Sequence, residues 1–294
     1  MSIIDVRDWE KEEYGFGTRK KYLYIDPLTR RSAFFKYPMV DEKTGQELIG
    51  EIWSEKIAAD IGKVIKIPTP EVVIAQNEEG YGSLSFNFLE PGEQLHHGAE
   101  FLDVYFSFYE SEKFDPRNLK HHKLDAIFEI TKHLKVMNQF INIIIFDSLI
   151  GNSDRHSENW GLVSNANNGT FKLAPAYDNS SSLAREFNDD VRFTLLKDEN
   201  RFQSYVLGNK SAACISTNGK KRTQHFDLVN ILLKKNKKHL LKTLKNLRNL
   251  YDGQIDKILS SIPDNIMSSI SKKLVNKILI ARRDKLLEIR RENL

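Results

Sequence analysis

Residues 122–150 carry apolar side chains at helical spacing (Leu124, Ile127, Phe128, Leu134, Met137, Phe140, Ile141, Ile144) and stop at Gly151. No other segment limits the fold so strongly. Apolar positions three and four apart give a helix a core-facing side. The spacing predicts one long buried helix over 122–150, ended by Gly151. The next segment, GNSDRHSEN at residues 151–159, is as polar as the helix is apolar. Two short apolar segments, 160–163 and 170–174, then flank Asn168-Gly169, a dipeptide that closes hairpins because both residues tolerate positive φ. A hairpin brings its ends together. Asn159, just before the first strand, therefore lies beside Asp178, just after the second, and Asp154 belongs to the same loop. Two carboxylates and an amide form a hard-oxygen cluster suited to Mg²⁺, with one carboxylate left over to accept a proton. Phosphoryl transfer needs that division of labour.

The rest of the chain is consistent with such a site. With 294 residues, 40% hydrophobic and 29% charged, there is material for one large domain or two small lobes with a real core. No stretch reaches the roughly 18 uninterrupted apolar residues of a membrane span; the most apolar one, 140–150, is interrupted by Asn142 and Asp147. The opening MSIIDVRDWEKEE lacks a signal-peptide core. Cys214 is the only cysteine, which excludes an intrachain disulfide and a thiolate zinc cluster and fits a reducing, cytoplasmic setting. A net charge of +4 is too mild to argue for direct nucleic-acid binding.

Before residue 90 the pattern is strands, helix, strands. Aromatic-rich segments 21–26 and 32–37 flank Pro27-Leu28-Thr29-Arg30, a hairpin signal. Segment 48–61 then takes up helical period, with Gly62 as its expected end. Strands over 71–75 and 83–89 are joined by Asn77-Glu78-Glu79-Gly80. Pro91-Gly92 breaks the pattern and divides a lobe of residues 1–90 from one of 91–294. Residues 187–224 are polar and read as irregular. Helices resume at Asp227, with Asp264 the expected N-cap of the last. In the basic stretch beginning at Leu232, Leu240, Leu241, Leu244 and Leu247 are expected to turn inward, leaving a solvated lysine face. The pairs His96-His97 and His121-His122 are poor chelates, since neighbours on a helix diverge, and read as surface residues.

Asp154-x-x-x-x-Asn159 has the Asp-to-Asn spacing of the protein-kinase catalytic loop. Together with Leu173-Ala174-Pro175-Ala176-Tyr177-Asp178, the segment 151–162 resembles the HipA-like family of bacterial serine/threonine kinases. It departs from ordinary kinases in having Asp-Arg-His for His-Arg-Asp and Tyr-Asp-Asn for Asp-Phe-Gly; the Asp-Arg-His order is shared with phosphoinositide kinases. The resemblance implies an α+β, two-lobed protein-kinase-like fold, with a small antiparallel-sheet N-lobe carrying one helix and a mainly helical C-lobe. The form expected is the short, kinase-core-only one. It implies Asp154 as catalytic base, Asn159 and Asp178 as Mg²⁺ ligands, and ATP as phosphoryl donor to a protein Ser or Thr hydroxyl. His156 reads as a hydrogen-bonder that orients the loop, and Arg155 as a partner of a carboxylate or of a phosphate.

A kinase also needs a strand lysine paired with a helix glutamate. Lys36 lies on a strand among Phe34, Phe35 and Tyr37. By resemblance Glu51 occupies the glutamate's place, although Glu55, one turn further along the same face, is not separable from it by sequence. Gly15-Phe16-Gly17 stands where a glycine-rich loop would approach the phosphates, with Lys20 in place of its third glycine. Residues 87–89 are expected at the adenine. Family members silence themselves by phosphorylation in or near that loop, which points to Thr18, and many are toxins held by an antitoxin partner. Two other classes stay open at this point: a phosphoinositide-type lipid kinase, and a catalytically silent nucleic-acid-binding module. The intact set of Lys36, Asp154, Asn159 and Asp178 argues against silence.

Overall fold

The structure, a computed structural model, describes residues 3–14, 21–41, 45–109, 114–116, 118–165, 169–208 and 212–294. Gly15, Gly17 and Thr18 lie outside the described residues, as does Asn168. Strands β1 (Ile4–Asp5), β2 (Glu10–Tyr14), β3 (Lys21–Ile25), β4 (Ser32–Lys36), β5 (Val72–Asn77) and β6 (Gly80–Phe86) form a six-stranded sheet in the order β1-β5-β6-β4-β3-β2. All its pairs are antiparallel except β1 with β5, which is parallel. The two-residue period of β4 sends Ala33 and Phe35 to one face and Lys36 to the other. On the Phe35 face, Tyr22, Tyr24, Val73 and Leu84 close a small core of their own. Helix α1 (Gly50–Ile65) packs on β5 and β6 and joins the main core through Ile52, Ile57 and Ile61.

The expected hairpin between β3 and β4 forms in register Lys21 with Lys36. The turn after β5 also forms, with Asn77 Oδ1 accepting from the N–H groups of Glu79 and Gly80 at 3.0 and 3.2 Å. Helix α1, in contrast, runs through Gly62 and stops at Lys66, whose backbone is left-handed (φ 62°). Gly62 is needed for closeness: a Cβ there would sit 2.6 Å from the Thr69 side chain.

Beyond residue 90, β7 (Glu93–His97) pairs with β8 (Gly161–Asn165), and β8 with β9 (Phe171–Leu173), all antiparallel. The helices of this part are α2 (Gly98–Tyr109), α3 (Leu124–His133), α4 (Met137–Ile150), α5 (Asp189–Lys197), α6 (Glu199–Leu207), α7 (His225–Asn246), α8 (Asp252–Ser260) and α9 (Ser269–Glu292). Segment 122–150 is therefore two helices. They part at Lys135, which adopts φ 59° without glycine's help, while Val136 N–H donates to Thr131 O at 2.8 Å. Leu134 and Val136 stay on the core across this break, so the apolar period does not register it.

Residues 189–207 form two helices where irregular chain was expected. Each starts at a side-chain cap: Asn188 Oδ1 accepts from Val191 N–H and Asp198 Oδ1 from Arg201 N–H, both at 3.0 Å. The last helix is capped by Ser268, not Asp264, which pairs instead with Lys272 at 2.6 Å. The amphipathic reading of α7 holds: Leu240, Leu244 and Leu247 are buried and Leu241 packs against the core. Helices α4, α7 and α9 pack on one another at the centre of the helical part. Among the described residues no helix is long and apolar enough to cross a membrane.

The start of α1 is crossed by the chain that comes after Asp178. A Cβ on Gly50 would lie 2.3 Å from Arg185 O. Gly50→Ala should lower stability by about 1–3 kcal/mol by forcing these backbones apart. A urea unfolding midpoint that does not move, at constant slope, would show that the two backbones are not in contact.

Candidate active site

Helix α4 ends at Gly151, whose φ of 68° turns the chain and whose N–H donates to Asp147 O. Asn152 N–H takes the same carbonyl at 3.0 Å, and Asn152 Oδ1 accepts from Asp154 N–H at 3.0 Å. The helix end thus sets where the loop begins.

Arg155 anchors the rest. It is 1% exposed, yet its guanidinium has five acceptors. Nε and Nη2 donate to the two carboxylate oxygens of Asp147 at 3.0 and 2.8 Å. Nη2 also donates to Asn179 Oδ1 at 2.6 Å, and Nη1 to Asn159 O at 2.8 Å and to Tyr177 O. A buried cation is tolerable only when paired and fully hydrogen-bonded. Satisfying this one draws together the end of α4, the polar loop and the segment after β9.

Asn159 Nδ2 donates to Asp154 O at 2.8 Å, leaving the amide oxygen on the opposite side of the group. The Asp154 carboxylate accepts no hydrogen bond from any described residue. Ala174 N–H donates to Gly161 O at 2.9 Å and Ala176 N–H to Pro68 O at 2.8 Å, so the chain leaving the hairpin is laid against the sheet's loops. Asp178 comes next in a left-handed conformation (φ 54°) and meets Lys36 Nζ at 3.2 Å. Tyr177, just before it, stacks on Phe88 with ring centroids 5.9 Å apart; its hydroxyl donates to Glu158 O at 3.0 Å. Burial pushes the phenol well above its usual range. His156 accepts from Glu158 N–H through Nδ1 at 3.2 Å, a bond within the loop.

The structure thus joins Lys36 directly to Asp178, and Asp154 directly to Asn159. Arg155 ties the two pairs together. The glutamates of α1 divide differently. Glu51 accepts from Met39 N–H at 2.9 Å and from Arg185. Glu55 is 2% exposed, accepts from Asn179 N–H at 3.1 Å, and feels the Lys36 charge. Desolvation raises the Glu55 carboxyl above its usual range; Lys36 opposes that and Asp178 adds to it. Of the two glutamates, Glu55 is the one whose backbone partner, Asn179, adjoins Asp178, while Glu51 is held by Met39 and Arg185. Residues 87–89 come directly after β6, and Asn87 Oδ1 accepts from Leu89 N–H at 3.1 Å.

Two features were not legible. Asp147 reads as an interruption of an apolar run, and that interruption is the only sign that a buried cation needed it. His121 and His122 are buried, not exposed. His122 lies between Cys214 O, 2.5 Å from Nδ1, and Trp160, whose Nε1–H donates to Nε2 at 3.1 Å. Burial pushes its imidazole down to about 4, so it stays neutral and supports the start of β8.

A curled sheet with one helix, set on a helical part that carries the loop, is the two-lobed architecture of the protein kinases. The chain belongs to the family of HipA-like C-terminal domains, whose sequence pattern matches residues 17–249. Over 125 residues it is 26% identical to a Helicobacter pylori protein named serine/threonine-protein kinase CtkA; the match covers 42% of this chain and 37% of that protein's length. The crystal structure of the H. pylori proinflammatory kinase CtkA superposes with a TM-score of 0.80 at 19% identity, over 98% of this chain and 96% of that one. A chain from the Shewanella oneidensis toxin–antitoxin complex of HipA, HipB and operator DNA superposes at 0.58 and 12% identity, over 99% and 67%.

Arg155→Met should destabilise the protein by about 3–5 kcal/mol, because Asp147 is left buried and unpaired. Adding Asp147→Leu should recover part of that loss. A single variant that costs under about 1 kcal/mol, the level of an exposed pair, would contradict the anchoring role.

Proposed function

We propose that this chain is an ATP- and Mg²⁺-dependent protein kinase that phosphorylates serine or threonine hydroxyls. The observation that carries the proposal is the contact of Lys36 with Asp178, on a segment that Arg155 binds to the Asp154–Asn159 loop. In this reading residues 1–90 form the nucleotide lobe and residues 91–294 the catalytic lobe.

The donor set fits a hard divalent cation. Among the described residues no three His, Cys, Asp or Glu side chains converge. The oxygens on offer are the Asp178 carboxylate and the Asn159 amide, which phosphate oxygens and water would complete. Asp178 is partly exposed, and Asn159 has its amide nitrogen engaged, so both present oxygen. When bound, Mg²⁺ supplies charge neutralisation for the β- and γ-phosphates. Lys36 exchanges Asp178 for phosphate oxygens, and Glu55 keeps the ammonium in place from α1; Glu51 holds the chain after Asp178 through Arg185. Asp154, with no donor on its carboxylate among the described residues, takes the proton of the attacking hydroxyl as the hydroxyl oxygen bonds to the γ-phosphorus and the bond from that phosphorus to the bridging oxygen breaks, releasing ADP.

Gly15 and Gly17 belong to the nucleotide site as the loop over the phosphates, and Thr18 is the proposed autophosphorylation site. An antitoxin partner and a cytoplasmic setting complete the reading; the likeness to a chain from a HipA–HipB complex supports the partner.

Asp154→Asn should cut phosphoryl transfer by ~10²–10⁴-fold while leaving ATP affinity close to wild type. Asp178→Ala should instead weaken ATP binding in calorimetry and abolish its dependence on Mg²⁺. Retained turnover in the first variant removes Asp154 from the base role. An unchanged Mg²⁺ dependence in the second puts the metal elsewhere.

A further inference from the structure

Between α6 and α7 the chain makes a small, rigid turn whose cations the mechanism does not use. Residues 217–222 read Thr-Asn-Gly-Lys-Lys-Arg. Ser216, fully buried, organises the turn: its Oγ accepts from Gly219 N–H and donates to Lys221 O, both at 2.8 Å. Asn218 Oδ1 accepts from Lys220 N–H at 3.0 Å, and Gly219 takes the left-handed φ of 71° that the turn requires. Below it, Ser216 N–H donates to His122 O at 3.1 Å and Leu124 N–H to Ser216 O at 2.9 Å. The turn is thus fixed to the start of α3 and to the same His122 that supports β8.

This turn stands at the catalytic loop. Arg222 Nη1 donates to the carbonyl of Ser153, the residue before Asp154, at 2.5 Å. Lys220, Lys221 and Arg222 are exposed, and among the described residues none of them has a carboxylate partner. A flexible surface run of lysines needs no explanation, but this one is held rigid by its own backbone bonds. It carries Lys220 and Lys221 exposed on the same turn as Arg222, which touches the residue before the proposed proton acceptor. Lys120, whose Cα would lie 3.4 Å from a Cβ placed on Gly219, is exposed next to the same turn. The segment 217–222 holds no aromatic residue on which a base could stack. Its single turn matches a short acidic peptide better than the long phosphate track of a nucleic acid.

We propose that residues 217–222 select the substrate: they receive Asp or Glu side chains flanking the Ser or Thr hydroxyl presented to Asp154. The inference rests on the kinase reading and narrows it to acidic protein segments. Complementary charge across such a contact acts on encounter and on choice of partner.

The test uses the full chain with ATP and Mg²⁺ and two serine peptides, one flanked by Asp and Glu, the other by Lys and Arg. The variant is Lys220→Glu with Lys221→Glu; neither side chain makes a described hydrogen bond. Wild type should favour the acidic peptide in kcat/KM, and the preference should shrink as added salt shortens the screening length from ~10 Å at 0.1 M. The variant should lose about ten-fold or more on the acidic peptide and gain on the basic one, with ATP affinity by calorimetry unchanged. Equal wild-type use of both peptides, or equal losses on both in the variant, overturns the inference and leaves the kinase reading standing. So does an unchanged peptide preference accompanied by loss of salt-dependent RNA binding in the variant. Absence of any transfer by wild type, to peptide or to itself, overturns both.

Discussion

A guanidinium buried without solvent is the constraint on which this site is built. Stripping Arg155 of water costs several kcal/mol, which only a full set of acceptors offsets. Those acceptors come from four places in the chain: the Asp147 carboxylate inside α4, the Asn159 carbonyl in the polar loop, the Tyr177 carbonyl and the Asn179 amide oxygen. None can move without exposing the others to an unsatisfied charge. The spacing of Asp154, Asn159 and Asp178 is a consequence, because Asp154 directly precedes Arg155, Asn159 is held by it, and Asp178 lies between Tyr177 and Asn179, which it also holds.

The second organising element is α1, which offers two buried glutamates one turn apart. Each accepts a backbone N–H, Glu51 from Met39 and Glu55 from Asn179. Glu51 is further tied to Arg185, and Ser54 between them donates to Ser180 O at 2.7 Å. The first turns of the helix are therefore bound to the chain that comes after Asp178. Movement of α1 would carry Asn179, and with it the Arg155 network. A sheet lobe and a helical lobe are coupled through side chains of opposite charge packed in low-dielectric surroundings, where such contacts are strong.

Local chemistry made part of this legible in the sequence. Alternating aromatics give β3 and β4, Asn77 gives its turn, Gly151 ends α4, and the loop and hairpin bring Asp154, Asn159 and Asp178 to one end. The features that stayed hidden depended on distant partners. The break at Lys135 leaves the apolar period intact and uses neither glycine nor proline. Helices α5 and α6 bury little beyond Leu195, Phe202 and Val206, so they show little periodicity and are marked mainly by caps. Arg155 and Asp147, eight residues apart, give no sign of being a pair until the helix end folds back. Glu51 and Glu55 share a face and could be told apart only once Arg185 had engaged the first.

An arrangement of this kind is built to move a phosphoryl group from ATP to a protein hydroxyl, as proposed above. The decisive measurement is incubation of the protein with γ-labelled ATP and Mg²⁺, followed by mapping of the label by mass spectrometry. The expected result is Mg²⁺-dependent phosphoserine or phosphothreonine on the chain itself or on an added protein. Label recovered only as inorganic phosphate, or on a lipid headgroup in place of a protein hydroxyl, would contradict it.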